Sequence, residues 1–124
     1  MDVRKPIFLI ADANECLRGD IGRLLAEAFP GSELLQVSTG EDVLGFDSRH
    51  RPDAVVMDII LPGIGGLDVI ERLKARRPEV KIVVFTRYDD IKSRERAASA
   101  GVSLFLGKDS PLPDVVNALR QALA

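Results

Sequence analysis

Five short apolar runs alternate with stretches whose apolar residues recur at helical spacing, and this alternation limits the fold more than any other feature of the sequence. The runs cover residues 7–11, 33–37, 54–57, 81–85 and 103–106. Each has the length of a β-strand rather than of a helix. A strand followed by a helix, repeated five times, favours a parallel sheet with helices on both of its faces. The third and fourth runs are apolar almost throughout, as expected for strands covered on both faces.

The segments that follow the runs predict five helices, and several of these carry start or stop signals. In the first, apolar residues recur on one face, and Asn14 is the expected N-cap. The middle three are predicted near residues 40–49, 66–76 and 90–100. The last of these three is mostly charged and alanine-rich, and we expect it to stop at Gly101. The fifth helix is expected to begin with Ser110 as its cap and Pro111 at its first position.

Length and composition indicate one ordinary globular domain. A chain of 124 residues with 46% hydrophobic and 29% charged residues predicts a single domain over residues 1–124. A net charge of −2 gives no reason to expect nucleic-acid binding, and Arg76 and Arg77 are predicted to form a solvated helix end. No apolar stretch is long enough to span a bilayer, so no membrane partner is expected. The single cysteine excludes an intramolecular disulfide and fits a reducing compartment, which favours a cytoplasmic protein.

The sequence VVMDIILPG at residues 55–63 places one carboxylate, Asp58, inside an apolar run. An ionised carboxylate buried there without a partner would cost several kcal/mol. Either a cation neutralises Asp58, or the strand stops at this residue and its side chain emerges at the strand end, in a site.

Polar side chains also end or follow the other strand runs. Asp12 ends the first run, Thr86 the fourth, and Lys108 comes just after the fifth. In a sheet of this kind the ligand site lies outside the carboxyl ends of the strands, so these side chains and Asp58 are expected to converge there. Two carboxylates, a hydroxyl and an ammonium suit a divalent cation and a phosphoryl group. Taken singly, Asp12 is also a candidate helix cap and Lys108 a candidate solvated loop lysine.

Four motifs, in this order and spacing, resemble the receiver domain of response regulators in two-component signalling, the CheY-like family. They are LIAD at 9–12, VVMDIILPGIGGLDVI at 55–70, VVFT at 83–86 and AASAGVSLFLGKDS at 97–110. The resemblance implies a flavodoxin-like, doubly wound (βα)5 sandwich of three layers. Its parallel five-stranded sheet would have the order 2-1-3-4-5.

The resemblance also implies a chemistry. Asp58 would accept a phosphoryl group from a sensor histidine kinase or a phosphotransfer protein, giving an aspartyl phosphate. Mg²⁺ would be held by Asp12, Asp58 and the backbone carbonyl of Ile60. Such a domain phosphorylates itself from its donor and is not a conventional turnover enzyme.

Three further roles follow from the same resemblance. Lys108 would pair with the phosphoryl group, and the Thr86 hydroxyl would hydrogen-bond one of its oxygens. Movement of Thr86 would be coupled to the aromatic ring of Phe105 on the fifth strand. The switched surface would act on a downstream protein or an output domain, and homodimers are common among relatives.

Three positions depart from the family pattern, and one of them, Asp109, stands where many relatives have proline. Ala13 stands where a second acid usually contacts the metal, which predicts weakened rather than abolished Mg²⁺ binding. Arg87 follows Thr86 where small residues are common, and it either screens the phosphoryl group from water or points outward. Ala13 keeps open the alternative of a degenerate receiver, a protein-binding module that does not switch by phosphate.

Two other classes fit the residues poorly. A phosphohydrolase with an aspartate nucleophile after the first strand needs Asp-x-Asp, whereas Asn14 stands two residues after Asp12. A flavin carrier needs a phosphate loop rich in Ser, Thr and Gly after the first strand, which the sequence at 12–19 is not.

Overall fold

A strand and a helix alternate five times in the computed structural model, which describes residues 5–124. The strands are β1 (Ile7–Ala11), β2 (Glu33–Val37), β3 (Ala54–Met57), β4 (Lys81–Thr86) and β5 (Leu104–Gly107). The helices are α1 (Glu15–Ala28), α2 (Gly40–His50), α3 (Gly66–Arg76), α4 (Ile91–Ala100) and α5 (Pro113–Leu123). All four strand pairings are parallel and the order is β2-β1-β3-β4-β5, which confirms the predicted flavodoxin-like fold. Residues 1–4 of the predicted domain lie outside the described part of the chain.

The sheet separates two apolar cores, because successive side chains of each strand point to opposite faces. One core joins residues such as Leu9, Val55 and Val84 to α2 and α3. The other joins residues such as Phe8 and Val83 to α1 and α5. The central strand β3 is buried along its whole length, as its unbroken apolar sequence predicts.

Helix α4 is the least anchored of the five. Ala97 is its one fully buried residue, whereas the other four helices each bury three or more. Gly101 ends α4 in the left-handed conformation at φ 98°, as predicted. Within residues 5–124, no helix combines the length and apolar character that crossing a bilayer requires.

The predicted cap of the first helix is confirmed, and that of the fifth is wrong. The Asn14 side chain accepts a hydrogen bond from the Leu17 N–H at 3.0 Å. Helix α5 begins at Pro113 rather than Pro111, and no side chain caps it. The Ser110 N–H instead donates to the Gly107 carbonyl at 3.0 Å, so this serine belongs to the turn that leaves β5. A proline at the first helical position is retained, two residues later than expected.

Arg77 is not part of a solvated helix end, contrary to the prediction from sequence. It is 7% exposed, and its guanidinium binds Asp47, which is 1% exposed, with N–O distances of 2.7 and 3.0 Å. The same guanidinium donates to the Pro52 carbonyl at 2.6 Å. Arg76 is half-exposed and reaches the second Asp47 oxygen at 3.1 Å. A buried ion pair therefore ties α2 to the end of α3 and to the entry of β3.

Gly66 brings the start of α3 close to the backbone that follows Asp58. Its N–H donates to the Ile59 carbonyl at 2.9 Å. A Cβ at this position would lie 2.7 Å from that carbonyl oxygen and closer still to the Ile59 Cα. Only glycine therefore lets the start of α3 pack against the segment that follows Asp58.

We expect Gly66→Ala to lower the free energy of unfolding by about 2–3 kcal/mol, because the added methyl group overlaps backbone atoms that cannot rotate away. Gly65→Ala is the matched control, since a Cβ there would meet nothing within 4 Å. Its cost should be about 1 kcal/mol or less. Urea unfolding followed by circular dichroism measures both, and equal losses would contradict the close approach.

Arg77→Met should lower the free energy of unfolding by about 3 kcal/mol, because it leaves the Asp47 charge buried and poorly compensated. Arg96→Ala also removes an arginine from an ion pair, with Asp68, but both partners are about half-exposed. Its cost should stay below about 1 kcal/mol. A loss for Arg77→Met no larger than for Arg96→Ala, in the same urea titration, would show that burial of the Asp47 pair does not matter.

Candidate functional site

Four polar side chains meet at the carboxyl edge of the sheet. The Lys108 ammonium lies 2.8 Å from Asp12 Oδ2 and 2.7 Å from Asp58 Oδ2. The Thr86 hydroxyl donates to Asp58 Oδ1 at 2.6 Å. All four of these predicted site residues therefore share one pocket.

Backbone hydrogen bonds beyond the strand ends fix this meeting. The Asp12 N–H donates to the Val37 carbonyl at 3.2 Å, and the Asp58 N–H donates to the Ala11 carbonyl at 3.0 Å. The Lys108 N–H donates to the Thr86 carbonyl at 2.8 Å. The parallel ladder thus continues one residue past the strands and sets the functional side chains in neighbouring positions.

Each carboxylate oxygen of the acid pair has a donor from the chain itself. Asp12 Oδ1 accepts from the Asn14 N–H at 2.8 Å, and Asp58 Oδ1 also accepts from the Ile60 N–H at 3.0 Å. Asp12 is 4% exposed and Asp58 is 7% exposed. Both alternatives that the sequence left open apply to Asp58. The strand β3 ends before this residue, and a neighbouring cation compensates its charge.

Lys108 supplies that cation. Its partial burial by itself would lower the pKa of the ammonium, but the hydrogen bonds and charges of Asp12 and Asp58 outweigh burial and raise the pKa above its usual value. The ammonium is therefore protonated at neutral pH, and its contribution to stability is lost only as strongly alkaline pH deprotonates it. Two carboxylates and one ammonium leave the pocket with a formal charge of −1.

The donor chemistry of the pocket fits Mg²⁺, with a restriction. Mg²⁺ prefers oxygen ligands and commonly uses one or two carboxylates together with water and a substrate phosphate. Asp12 and Asp58 supply that number, whereas Ala13 supplies no ligand. Among residues 5–124 there is no cluster of three or more acidic, histidine or cysteine side chains that could hold a metal. Lys108 lies between the two acids, so a cation would have to displace its ammonium.

Two arginines lie next to the pocket. Arg18 reaches back from α1 and donates to the Asp12 carbonyl oxygen at 2.6 Å. Sequence reasoning missed this contact, although helical side chains point toward the helix N-terminus and Arg18 lies four residues after the cap. Arg87 is exposed and lines a cavity of about 380 Å³ together with Thr86 and Lys108. It therefore lies at the rim of the pocket.

Phe105 is partly buried against the core shared with α2 and α3. The Arg94 guanidinium of α4 lies 4.7 Å from the centroid of its ring. No local pattern predicts this contact, because it depends on how α4 packs beside β5. The Thr86 hydroxyl oxygen, in turn, accepts from the Tyr88 N–H at 3.2 Å, which links the pocket to the loop before α4.

The sequence matches known proteins over most of its length. The family model for the response regulator receiver domain matches residues 8–120. Response regulator GacA of Pseudomonas aeruginosa is 34% identical over 116 residues, which cover 94% of this chain and 54% of that protein. Transcriptional regulatory protein DesR of Bacillus subtilis is also 34% identical over 116 residues, which cover 94% of this chain and 57% of that protein. The chain spans about half the length of the curated relatives it matches.

Solved structures agree with the fold. A CheY-like response regulator receiver domain protein from Methanospirillum hungatei JF-1 superposes with a TM-score of 0.90 at 21% identity, covering 97% of this chain and 94% of that one. A LuxR family two-component response regulator from Aurantimonas sp. SI85-9A1 gives a TM-score of 0.87 at 25% identity, with coverages of 97% and 86%. From its sequence match, its strand order and these neighbours, the chain belongs to the receiver domain family of two-component response regulators.

Proposed function

We propose that this chain acts as a single phosphoaccepting receiver domain, in which Asp58 takes a phosphoryl group from a sensor histidine kinase or a phosphotransfer protein. The observation that carries the proposal is the pocket itself. Lys108 and Thr86 contact different oxygens of Asp58, at 2.7 and 2.6 Å. A carboxylate held between an ammonium and a hydroxyl is the arrangement that a transferred phosphoryl group needs around it.

The transfer is a single displacement at phosphorus. A carboxylate oxygen of Asp58 attacks the phosphoryl group of the donor, the new O–P bond forms, and the P–N bond to the donor imidazole breaks. Lys108 would exchange its contact with the Asp58 carboxylate for a contact with the negatively charged phosphoryl oxygens. Thr86 would exchange its bond to Asp58 for a bond to one of those oxygens. Both side chains already contact the acceptor carboxylate before the transfer.

Mg²⁺ is the cofactor that the family implies, and Asp12, Asp58 and the Ile60 carbonyl are the groups that would hold it. When bound, the ion would neutralise charge on the phosphoryl oxygens. Lys108 already supplies one positive charge in this position. Because Ala13 offers no carboxylate, we expect Mg²⁺ affinity to be lower than in receivers that have a third acid.

The output would be a change in the surface formed by α4, β5 and α5. Thr86 and Phe105 are the residues proposed to carry it, since modification of Asp58 changes the partner of the Thr86 hydroxyl. The surface would act on a downstream protein or an output domain, and self-association through it is a further proposal. A cytoplasmic location fits a partner kinase of this class.

The test is the response to Mg²⁺ with beryllofluoride, a mimic of the phosphoryl group, followed by amide chemical shifts. The wild-type chain should respond, and Asp58→Asn should lose the response because the attacking carboxylate oxygen is gone. Asp109→Asn, which removes an exposed acid lining the same rim, is the matched control and should respond like the wild type. A response that survives in Asp58→Asn would place the acceptor elsewhere.

The degenerate receiver is the second candidate, and a specific observation favours it. All four oxygens of Asp12 and Asp58 are satisfied by the chain's own donors, and Ala13 leaves the metal site one acid short. Such a pocket can serve as a purely structural ion pair beneath a binding surface. Absence of any Mg²⁺-dependent response in the wild-type chain would favour this reading.

Ala13→Asp should tighten Mg²⁺ binding about tenfold, because it restores an acid beside Asp12. Asn14→Asp adds the same charge one residue further on, but position 14 caps α1 through the Leu17 N–H. It should therefore change the affinity much less. Amide shifts titrated with Mg²⁺ give both constants. Equal affinities for the two variants would mean that position 13 does not face the metal.

A further inference from the structure

One side chain of α4 joins the loop after β4 to the strand β5. The Arg94 guanidinium lies 4.7 Å from the centre of the Phe105 ring, within the range of a cation–π interaction. Its Nε also donates to the carboxylate of Asp89, in the loop between β4 and α4. Arg94 thus contacts both the loop after β4 and the strand β5.

The loop that carries Asp89 is connected by hydrogen bonds to the candidate site. The loop begins at Thr86, whose hydroxyl binds Asp58 and accepts from the Tyr88 N–H. The Asp89 N–H then donates to the Arg87 carbonyl at 3.1 Å, so the backbone of the loop fixes where the Asp89 carboxylate lies. A shift of the Thr86 hydroxyl would move the Tyr88 peptide and, with it, Asp89.

The other Asp89 oxygen lies against the end of β5. A Cβ built on Gly107 would lie 3.1 Å from Asp89 Oδ2 and 2.6 Å from Asp109 Oδ1, so the Asp89 carboxylate packs beside this strand end. Asp89 therefore sits between the loop and β5, with Arg94 on one of its oxygens and Gly107 beside the other. A displacement of the loop would therefore act on the contact of Asp89 with Arg94, and Arg94 also contacts the Phe105 ring.

We propose that Arg94 is a positioning residue that holds Phe105 and the loop before α4 in the resting arrangement, and that this contact opens when Asp58 is modified. The proposal rests on the proposed function and specifies how the same site is regulated. In the resting arrangement Thr86 bonds to Asp58 directly, and the contacts of Arg94 with Asp89 and Phe105 are both made. They stabilise the resting state only, so they oppose the switch.

The sign of the effect follows from linkage. A contact made only in the resting state lowers the apparent affinity of a ligand that selects the switched state. An exposed ion pair and an exposed cation–π contact are each weak, so their joint loss should tighten phosphoryl-mimic binding about three- to fivefold. Removing Arg94 should also shift the unliganded chain toward the switched form.

The experiment compares Arg94→Ala with Arg96→Ala in the full chain. Both arginines lie on α4, both side chains are 46% exposed, and both are paired with carboxylates. Arg96 pairs with α3, however, and within residues 5–124 it makes no cation–π contact. Beryllofluoride affinity in the presence of Mg²⁺ is one readout. The other readout is the ¹⁹F chemical shift of Phe105 in a chain labelled with fluorophenylalanine. The Phe105→Leu variant identifies which signal belongs to Phe105. Thermal unfolding verifies that each variant is folded.

Arg94→Ala should bind beryllofluoride about three- to fivefold more tightly and move the unliganded Phe105 signal toward its liganded position, whereas Arg96→Ala should do neither. Arg94→Lys should partly restore wild-type behaviour, because an ammonium can still contact the ring and Asp89. Asp89→Asn should mimic Arg94→Ala, and the double variant should add little to either.

The outcomes separate this proposal from the proposed function. If the wild-type chain does not respond to beryllofluoride, the proposed function fails. If the wild type responds but Arg94→Ala and Arg96→Ala behave alike in both readouts, only the role of Arg94 is overturned. The same holds if Arg94→Ala weakens binding, because the contact would then stabilise the switched state.

Discussion

The balance of charge among Asp12, Asp58 and Lys108 is the constraint on which the rest of the site depends. The two carboxylates lie side by side, nearly removed from water, and the Lys108 ammonium contacts both of them. The sheet provides the geometry, since the three strands that carry these groups run parallel and end at one edge. Under the proposed function, an incoming cation or phosphoryl group would have to rearrange Lys108, because its ammonium contacts both carboxylates.

Ala13, where the family resemblance predicts a second acid, affects the charge of the proposed site more than the fold. The Ala13 side chain is exposed in the loop after β1, and the backbone there is fixed by the Asp12 ladder bond and the Asn14 cap. The family fold and the meeting of four polar groups therefore do not require the third acid. A third acid would add negative charge to the pocket. That charge would favour binding of a divalent ion, which competes with the Lys108 ammonium for the same carboxylates.

Local patterns in the sequence predict the fold and the convergence of the site, because both follow from strand length, apolar periodicity and the position of polar residues after strands. The first three strands match their predicted bounds, and Asp12, Asp58, Thr86 and Lys108 meet as expected. Two of the misses are long-range. Burial of Arg77 depends on Asp47, thirty positions earlier in the chain, and the contact of Arg94 with Phe105 depends on helix placement. The third is local: Ser110 does not cap α5, because the helix begins only at Pro113.

Helix α4 buries only Ala97 completely, and ion pairs of half-exposed side chains supply much of its attachment to the neighbouring elements. Attractions between half-exposed charges weaken as the ionic strength rises, whereas the apolar contacts of the sheet are not screened in this way. A higher salt concentration is therefore expected to loosen α4 while the core of the sheet remains intact.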